Sequence, residues 1–374
     1  MFFLKALRER FRSPRRQVND YKFLPQRHWF AHDYCMMIHD LLAQVVVEGE
    51  KAGIFNIKIT DESGDLIEKL KANQEHDLIT FLEKEERFGE IFMLLYKQVC
   101  VAIVSDMTHF IYEALQCSKK GKLTVTFSLL RKPLVENLLY LEYLLTDPGA
   151  FIINFWKGEI DHFGLGQRQE IDALAIVKLI YEKYPLPQFE DAEFIHDIRY
   201  KKDSHQSFQT YFQKATHLVT QARSYKTENT NFNFIYSDAE THEIQWDGLY
   251  SYLPIVLFHA YQVIEALLKI VRERSGKELD ITDGRVAVGY ILWEKFSHWG
   301  KFGEEDVLDR LIEILDLARF SCVKCNSKII SSEKNYLLFY EHGHLICDSC
   351  GKDNDLISPF LKFSQTQLRE LDQN

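Results

Sequence analysis

Four of the chain's seven cysteines fall into two identical spacings, Cys322-Val323-Lys324-Cys325 and Cys347-Asp348-Ser349-Cys350. Two thiolates three positions apart can aim at one ion if the backbone folds back between them. Two such pairs then complete a four-sulfur tetrahedron around a metal. A sphere closed by four thiolates has no place for water, so its chemistry is structural bracing rather than solvent activation. Between the pairs the pattern reads as strand, turn and strand, with Ile329, Ile330, Leu337, Phe339 and Leu345 as a small core. Lys324, Lys328 and Lys334 are balanced there by Glu333, Glu341 and Asp348, whereas a phosphate-gripping module would be basic. His342 and His344 lie close to the second pair but are not needed by a four-cysteine set.

The paired Cys-x-x-Cys stretches resemble the zinc-ribbon, or rubredoxin-like, knuckle family over residues 322–350. The resemblance implies one structural Zn2+ held by Cys322, Cys325, Cys347 and Cys350. The balanced charge of this stretch points to a module that docks on another part of the chain or on a partner.

Arginine–histidine pairs offer a different chemistry. Arg27 and His32, and Arg199 and His205, are spaced like the motif of the HEPN class of helical ribonucleases, which they resemble. The resemblance implies that the cation steadies a phosphate while the imidazole moves a proton from the attacking 2′-hydroxyl. The motif is loose, and a chain with 14 histidines will produce such pairs by chance. A third signal is a column of His28, His32, Cys35 and His39 along one helix face. Its readings are a second metal site or a polar flank packed on a neighbouring helix. Phosphate-binding glycine loops and a nucleophile elbow are absent: Gly164-Leu165-Gly166 lacks its third glycine, and no Gly-x-Ser-x-Gly occurs. Whether the protein is an enzyme stays open on these residues.

The elements that must hold these groups are mainly helical. Hydrophobic residues make up 46% of the chain, and only 17 glycines and 8 prolines punctuate it, which favours long helices. A helix is expected over about 26–48 and a long one from about His76 to Cys117, stopped by Lys119-Lys120-Gly121. Another runs from Leu123 to Leu145, kinked by Pro133, with Glu136 and Glu142 as acids on an otherwise apolar surface. The Arg131–Glu136 pattern and its leucine-rich run loosely resemble helical domains of uncharacterised bacterial proteins. Phe232, Phe234 and Tyr236, then Ile244 and Trp246, alternate and predict a β-hairpin. Helices follow over 249–273, 286–299 and 304–319.

The expected organisation is a basic amphipathic arm (1–19), a helical body (20–318), a zinc ribbon (319–351) and a C-terminal tail (352–374). The fold class is mainly α, a multi-helix body with one β-hairpin and a small C-terminal zinc ribbon. The net charge of −10 argues against a general nucleic-acid binder. The arm, with Lys5, Arg8, Arg10, Arg12, Arg15 and Arg16 against Glu9, is the one segment suited to nucleic acid or an anionic surface. The longest uncharged run, Leu249 to Ile264, is too short and polar to span a bilayer, so no transmembrane segment is expected. An odd cysteine count with a thiolate centre points to a reducing, cytoplasmic setting. The functional expectation is an intracellular zinc-binding protein, a protein-interaction or regulatory module, with the helical ribonuclease as alternative.

Overall fold

The computed structural model describes residues 21–159, 172–184, 190–271, 281–296, 321–329 and 333–355, apart from 58, 60, 62–63, 73–76, 203, 205–206, 222–225 and 236. The basic arm, the expected helix over 304–319 and the C-terminal tail therefore lie outside the described residues.

The helices, in chain order, are α1 (Trp29–Lys51), α2 (Leu66–Ala72), α3 (Leu78–Lys84), α4 (Phe88–Lys119) and α5 (Leu123–Arg131). A π-helical turn, Lys132–Asn137, leads into α6 (Leu138–Thr146) and α7 (Pro148–Trp156). Next come α8 (Ala173–Lys183), α9 (Ala192–Tyr200), α10 (Phe208–Thr216), α11 (Ala239–Val271) and α12 (Ile281–Phe296). The C-terminal module adds α13 (Glu333–His342) and two short strands, β1 (His344–Ile346) and β2 (Asp353–Asp355). Helix starts carry the side chains that satisfy their orphan amides: Asp77, Asp147, Asp172, Asp191 and Ser207 each accept from a first-turn N–H.

The mainly α class holds, with a two-stranded antiparallel sheet and a C-terminal four-cysteine cluster. Three local expectations are corrected. The paired strands are not at Phe232–Trp246: Asp238 accepts from the Thr241 amide at 2.8 Å and starts α11 there. Ile244 and Trp246 thus belong to the first turns of a helix whose apolar face continues through Leu249, Tyr250 and Leu253. Phe234 sits in a turn at φ 59°. Among the described residues between the cysteine pairs, α13 and β1 stand in place of the strand-turn-strand, and β1 pairs with β2 beyond the second pair. Finally, the helix expected from His76 breaks at Glu86, which takes φ 55°, so α3 and α4 are separate.

Helix α11 is the axis of the core. From Leu253 to Leu268 its side chains are buried against α1, α4, α5, α6, α9 and α12. By length and composition alone, α4 and α11 are long and apolar enough to cross a membrane; the apolar window of α11 is 89% buried inside the protein and that of α4 39%. The burial of α11 is that of the central helix of a large core.

Pro133 has no N–H to give the carbonyl of Leu129, and the chain answers with the π turn. The Leu138 amide reaches back five residues to Pro133 O. Leu134 O and Val135 O are then offered sideways to Arg199 and Tyr200.

The C-terminal module joins the same core. Tyr336, Phe339 and Tyr340 of α13 are buried, and Tyr340 stacks on Phe30 with ring centroids 5.5 Å apart. Arg285 of α12 donates to the carbonyls of Phe339 (3.2 Å), Tyr340 (3.0 Å) and Glu341 (3.4 Å), caring for the negative end of α13. Gly289 makes the approach feasible, since a Cβ there would lie 2.6 Å from the Tyr340 ring and 2.7 Å from the Tyr34 ring. Gly289→Ala is therefore expected to destabilise by about 1–3 kcal/mol through overpacking. Gly89→Ala, whose Cβ would meet nothing within 4 Å, serves as the control. Urea midpoints of the two variants check this; equal midpoints would refute the tight seat.

Candidate metal centre

The two cysteine pairs are built alike. In the first, the Cys322 amide donates to Ser327 O (2.9 Å) and the Asn326 amide returns to Cys322 O (2.9 Å). In the second, Cys347 N donates to Lys352 O (2.8 Å) and Gly351 N to Cys347 O (2.8 Å). The residue after each pair takes a left-handed conformation, Asn326 at φ 57° and Gly351 at φ 67°, a role these two residue types fill at least strain. An isolated bridge, Ser321 to Lys328, closes the first knuckle, and the β1–β2 ladder closes the second. Sequence reasoning missed this pairing of Asn326 with Gly351, although an asparagine and a glycine following the second cysteine were a usable signal.

Two buried asparagines lock the knuckles together. Asn354 of β2 accepts from the Val323 amide at 3.0 Å and donates to Leu345 O at 3.1 Å, tying the first knuckle to the sheet. Asn335 of α13 holds both polar backbone groups of Ile346, at 2.8 and 3.0 Å, and so blunts the outer edge of β1.

The four Sγ atoms converge, all within 4.8 Å of one another. Cys322 Sγ lies 3.6 Å from Cys350 Sγ, and Cys325 Sγ 3.6 Å from Cys347 Sγ. A tetrahedral ion with metal–sulfur bonds near 2.3 Å would space its sulfurs by about 3.8 Å. Two spacings match that value to within about 0.2 Å and none exceeds 4.8 Å, so the four sulfurs could hold one metal ion. Hydrogen bonds from the Ser327 side chain and amide bring Cys325 down to about 6, favouring the thiolate a metal needs. Cys322 and Cys347 are buried, Cys350 is half-buried and Cys325 faces solvent. His342 and His344 stay outside the cluster, near Glu341 and Asp353 respectively.

The remaining candidates go elsewhere. Arg27 pairs with Glu243 and, at 3.0 Å, with Asp247 on the first turns of α11. His32 is buried, its Nδ1 2.8 Å from Tyr250 Oη, which in turn is 2.8 Å from Ser118 Oγ. His28 stacks on Tyr250 and His39 binds its neighbour Asp40. The histidine column thus serves as a polar flank, and among the described residues the four cysteines are the one group of His, Cys, Asp and Glu arranged for a metal. Cys35 and Cys100 are buried, and burial pushes both thiols up, Cys100 to about 12.

Arg199 is fully buried. Its guanidinium forks onto Glu142 at 2.5 and 3.0 Å, its Nε donates to Leu134 O at 2.8 Å, and one terminal nitrogen donates to Tyr200 Oη at 2.7 Å. Nε2 of His259 on α11 lies 2.7 Å from Glu142 Oε1, the oxygen that also takes the shorter Arg199 bond. The acid that looked out of place on an apolar helix is the hub of an internal ion network. His205 lies outside the described residues.

Burial drives His32 down to about 3 and His28 to about 4, so both are neutral in the folded protein. The unfolded chain would protonate them near 6.5, so this stability is complete above that pH and is lost as pH falls toward 4. Between pH 6 and 4.5 each imidazole is expected to add a slope of up to about 1.4 kcal/mol per pH unit. Urea midpoints measured across that range should fall less steeply in His32→Gln. Parallel curves would contradict the assignment.

Comparison with protein-family models, curated proteins and solved structures gave no significant match, so no family supports the likeness of the helical part to bacterial helical domains.

Proposed function

We propose that this is a zinc-binding helical protein of the reducing cytoplasm whose C-terminal ribbon is a structural brace for a protein-interaction surface. The observation that carries the reading is the closed set of four converging sulfurs, with no further ligand position for a substrate. Zinc is the ion favoured by a tetrahedral four-thiolate set. The module's aromatic face is already spent on α1 and α12, so its outward knuckle tips, including the 77% exposed Val323, are what a partner would meet. Elemental analysis of purified protein should find one zinc per chain. A chain that holds no metal and takes up none would remove this reading.

The ribonuclease alternative has no observation in its favour. Arg199 has no solvent exposure and its guanidinium is committed to Glu142, while Arg27 is paired with two carboxylates. Incubation with structured RNA, alongside His32→Ala and His205→Ala, tests it: cleavage lost in either variant would revive it.

A further inference from the structure

We infer that the four-sulfur centre is a peroxide-sensitive clasp, opened by a disulfide that forms across the two knuckles between Cys325 and Cys347. The inference rests on the metal-centre reading above and names a regulation of that site.

Three observations combine. The sulfurs differ in access: Cys325 is exposed at the surface, whereas Cys322 and Cys347 are 2% and 1% exposed. An oxidant arriving from solvent therefore meets Cys325 first. Next, the sulfur at 3.6 Å from Cys325 is that of Cys347, on the opposite knuckle, so the resolving thiolate is already in place. Finally, the knuckles are held in mutual register by the Asn354 bond to Val323 and by β1–β2, so Cys325 and Cys347 already oppose one another when the oxidant arrives.

The chemistry balances with hydrogen peroxide as the named oxidant. Cys325 Sγ attacks one peroxide oxygen, the O–O bond breaks, and the departing hydroxide is protonated to water. Cys347 Sγ then attacks the Cys325 sulfur; the S–S bond forms, the S–O bond breaks, and a second hydroxide leaves as water. Two thiolates lose two electrons to one peroxide, with two protons consumed. Cys322 and Cys350 remain as two thiolates, half the set the ion requires, and the metal departs.

The test uses the full chain as purified, with hydrogen peroxide as oxidant and a chromogenic chelator reporting free metal. The expected result is one equivalent of metal released per chain, with accessible thiols in denaturant falling from seven to five. Peptide mapping should give a Cys325–Cys347 disulfide, and dithiothreitol with added zinc should restore the bound state. Metal retained under peroxide that oxidises the free thiol of a small reference peptide would overturn the inference. So would release accompanied by a Cys322–Cys325 disulfide, or by sulfinic acid with no disulfide. A chain that carries no metal before peroxide is added overturns the metal-centre reading itself, so the two failures are separable.

Discussion

Cys347→Ser is expected to release the metal and open the C-terminal module while leaving the helical body folded. Metal-coupled folding is worth about 10–16 kcal/mol in isolated zinc modules. Among the described residues the module's apolar inventory is small, with Ile329, Tyr336, Phe339, Tyr340 and Leu345 buried, and so few cannot offset the chain entropy of ordering it. Most of the body's core lies along α11 against α1, α4, α5, α6 and α9, and the module joins its edge mainly through α13. Limited proteolysis should therefore cut the variant after residue 320 and leave the wild type intact there. Uniform cutting across α4 and α11 would show that body and module fold as one unit. Unchanged resistance with metal retained would mean the ligand set is wrong, with His342 or His344 as the first replacement to examine.

The second large effect lies at the buried ion network. Glu142→Leu leaves the Arg199 guanidinium in an apolar interior without its carboxylate, a loss of about 3–5 kcal/mol. Replacing both partners, Glu142→Leu with Arg199→Leu, removes the stranded charge and is expected to recover most of that loss. The recovery is incomplete, because Leu134 O then loses the donor that the π turn relies on. Acid should act through the same carboxylate. Burial pushes Glu142 up, but Arg199 and His259 outweigh it and hold the group below the usual carboxylate range. An unfolded chain takes up that proton more readily. The network's contribution is thus full above about pH 4.3 and is lost as pH falls below it, so the double variant should show a flatter acid limb. Urea midpoints for the three proteins, repeated between neutral pH and pH 3.5, decide the matter. A single variant as stable as wild type would refute the network's role.

The sequence disclosed the metal centre almost whole, because a Cys-x-x-Cys pair carries its geometry in its own spacing. The helical class was legible for a similar reason: apolar positions at steps of three and four need no distant partner to be recognised. What stayed hidden depended on tertiary neighbours. Glu142 stood out as a lone acid, yet nothing in the chain ties it to Arg199, 57 positions away, or to His259, 117 away. The expected hairpin failed because two-residue alternation across Phe232–Trp246 was short, while the Asp238 cap and the long apolar face of α11 acted over many turns. The helix between the knuckles was missed because Tyr336, Phe339 and Tyr340 acquire their helical purpose only against Phe30 and Gly289. Pro133 correctly announced a defect, but the donors that make the π turn tolerable come from α9.

The central claim is that four thiolates, and no other groups, surround one ion. Cobalt(II) exchanged into the purified chain reads the ligand set directly from its visible and near-ultraviolet absorption. The account predicts one cobalt per chain with intense tetrahedral ligand-field bands and strong sulfur-to-metal charge transfer, both abolished in Cys347→Ser. Weak octahedral bands, charge transfer too small for four sulfurs, or a spectrum that survives Cys347→Ser would contradict it.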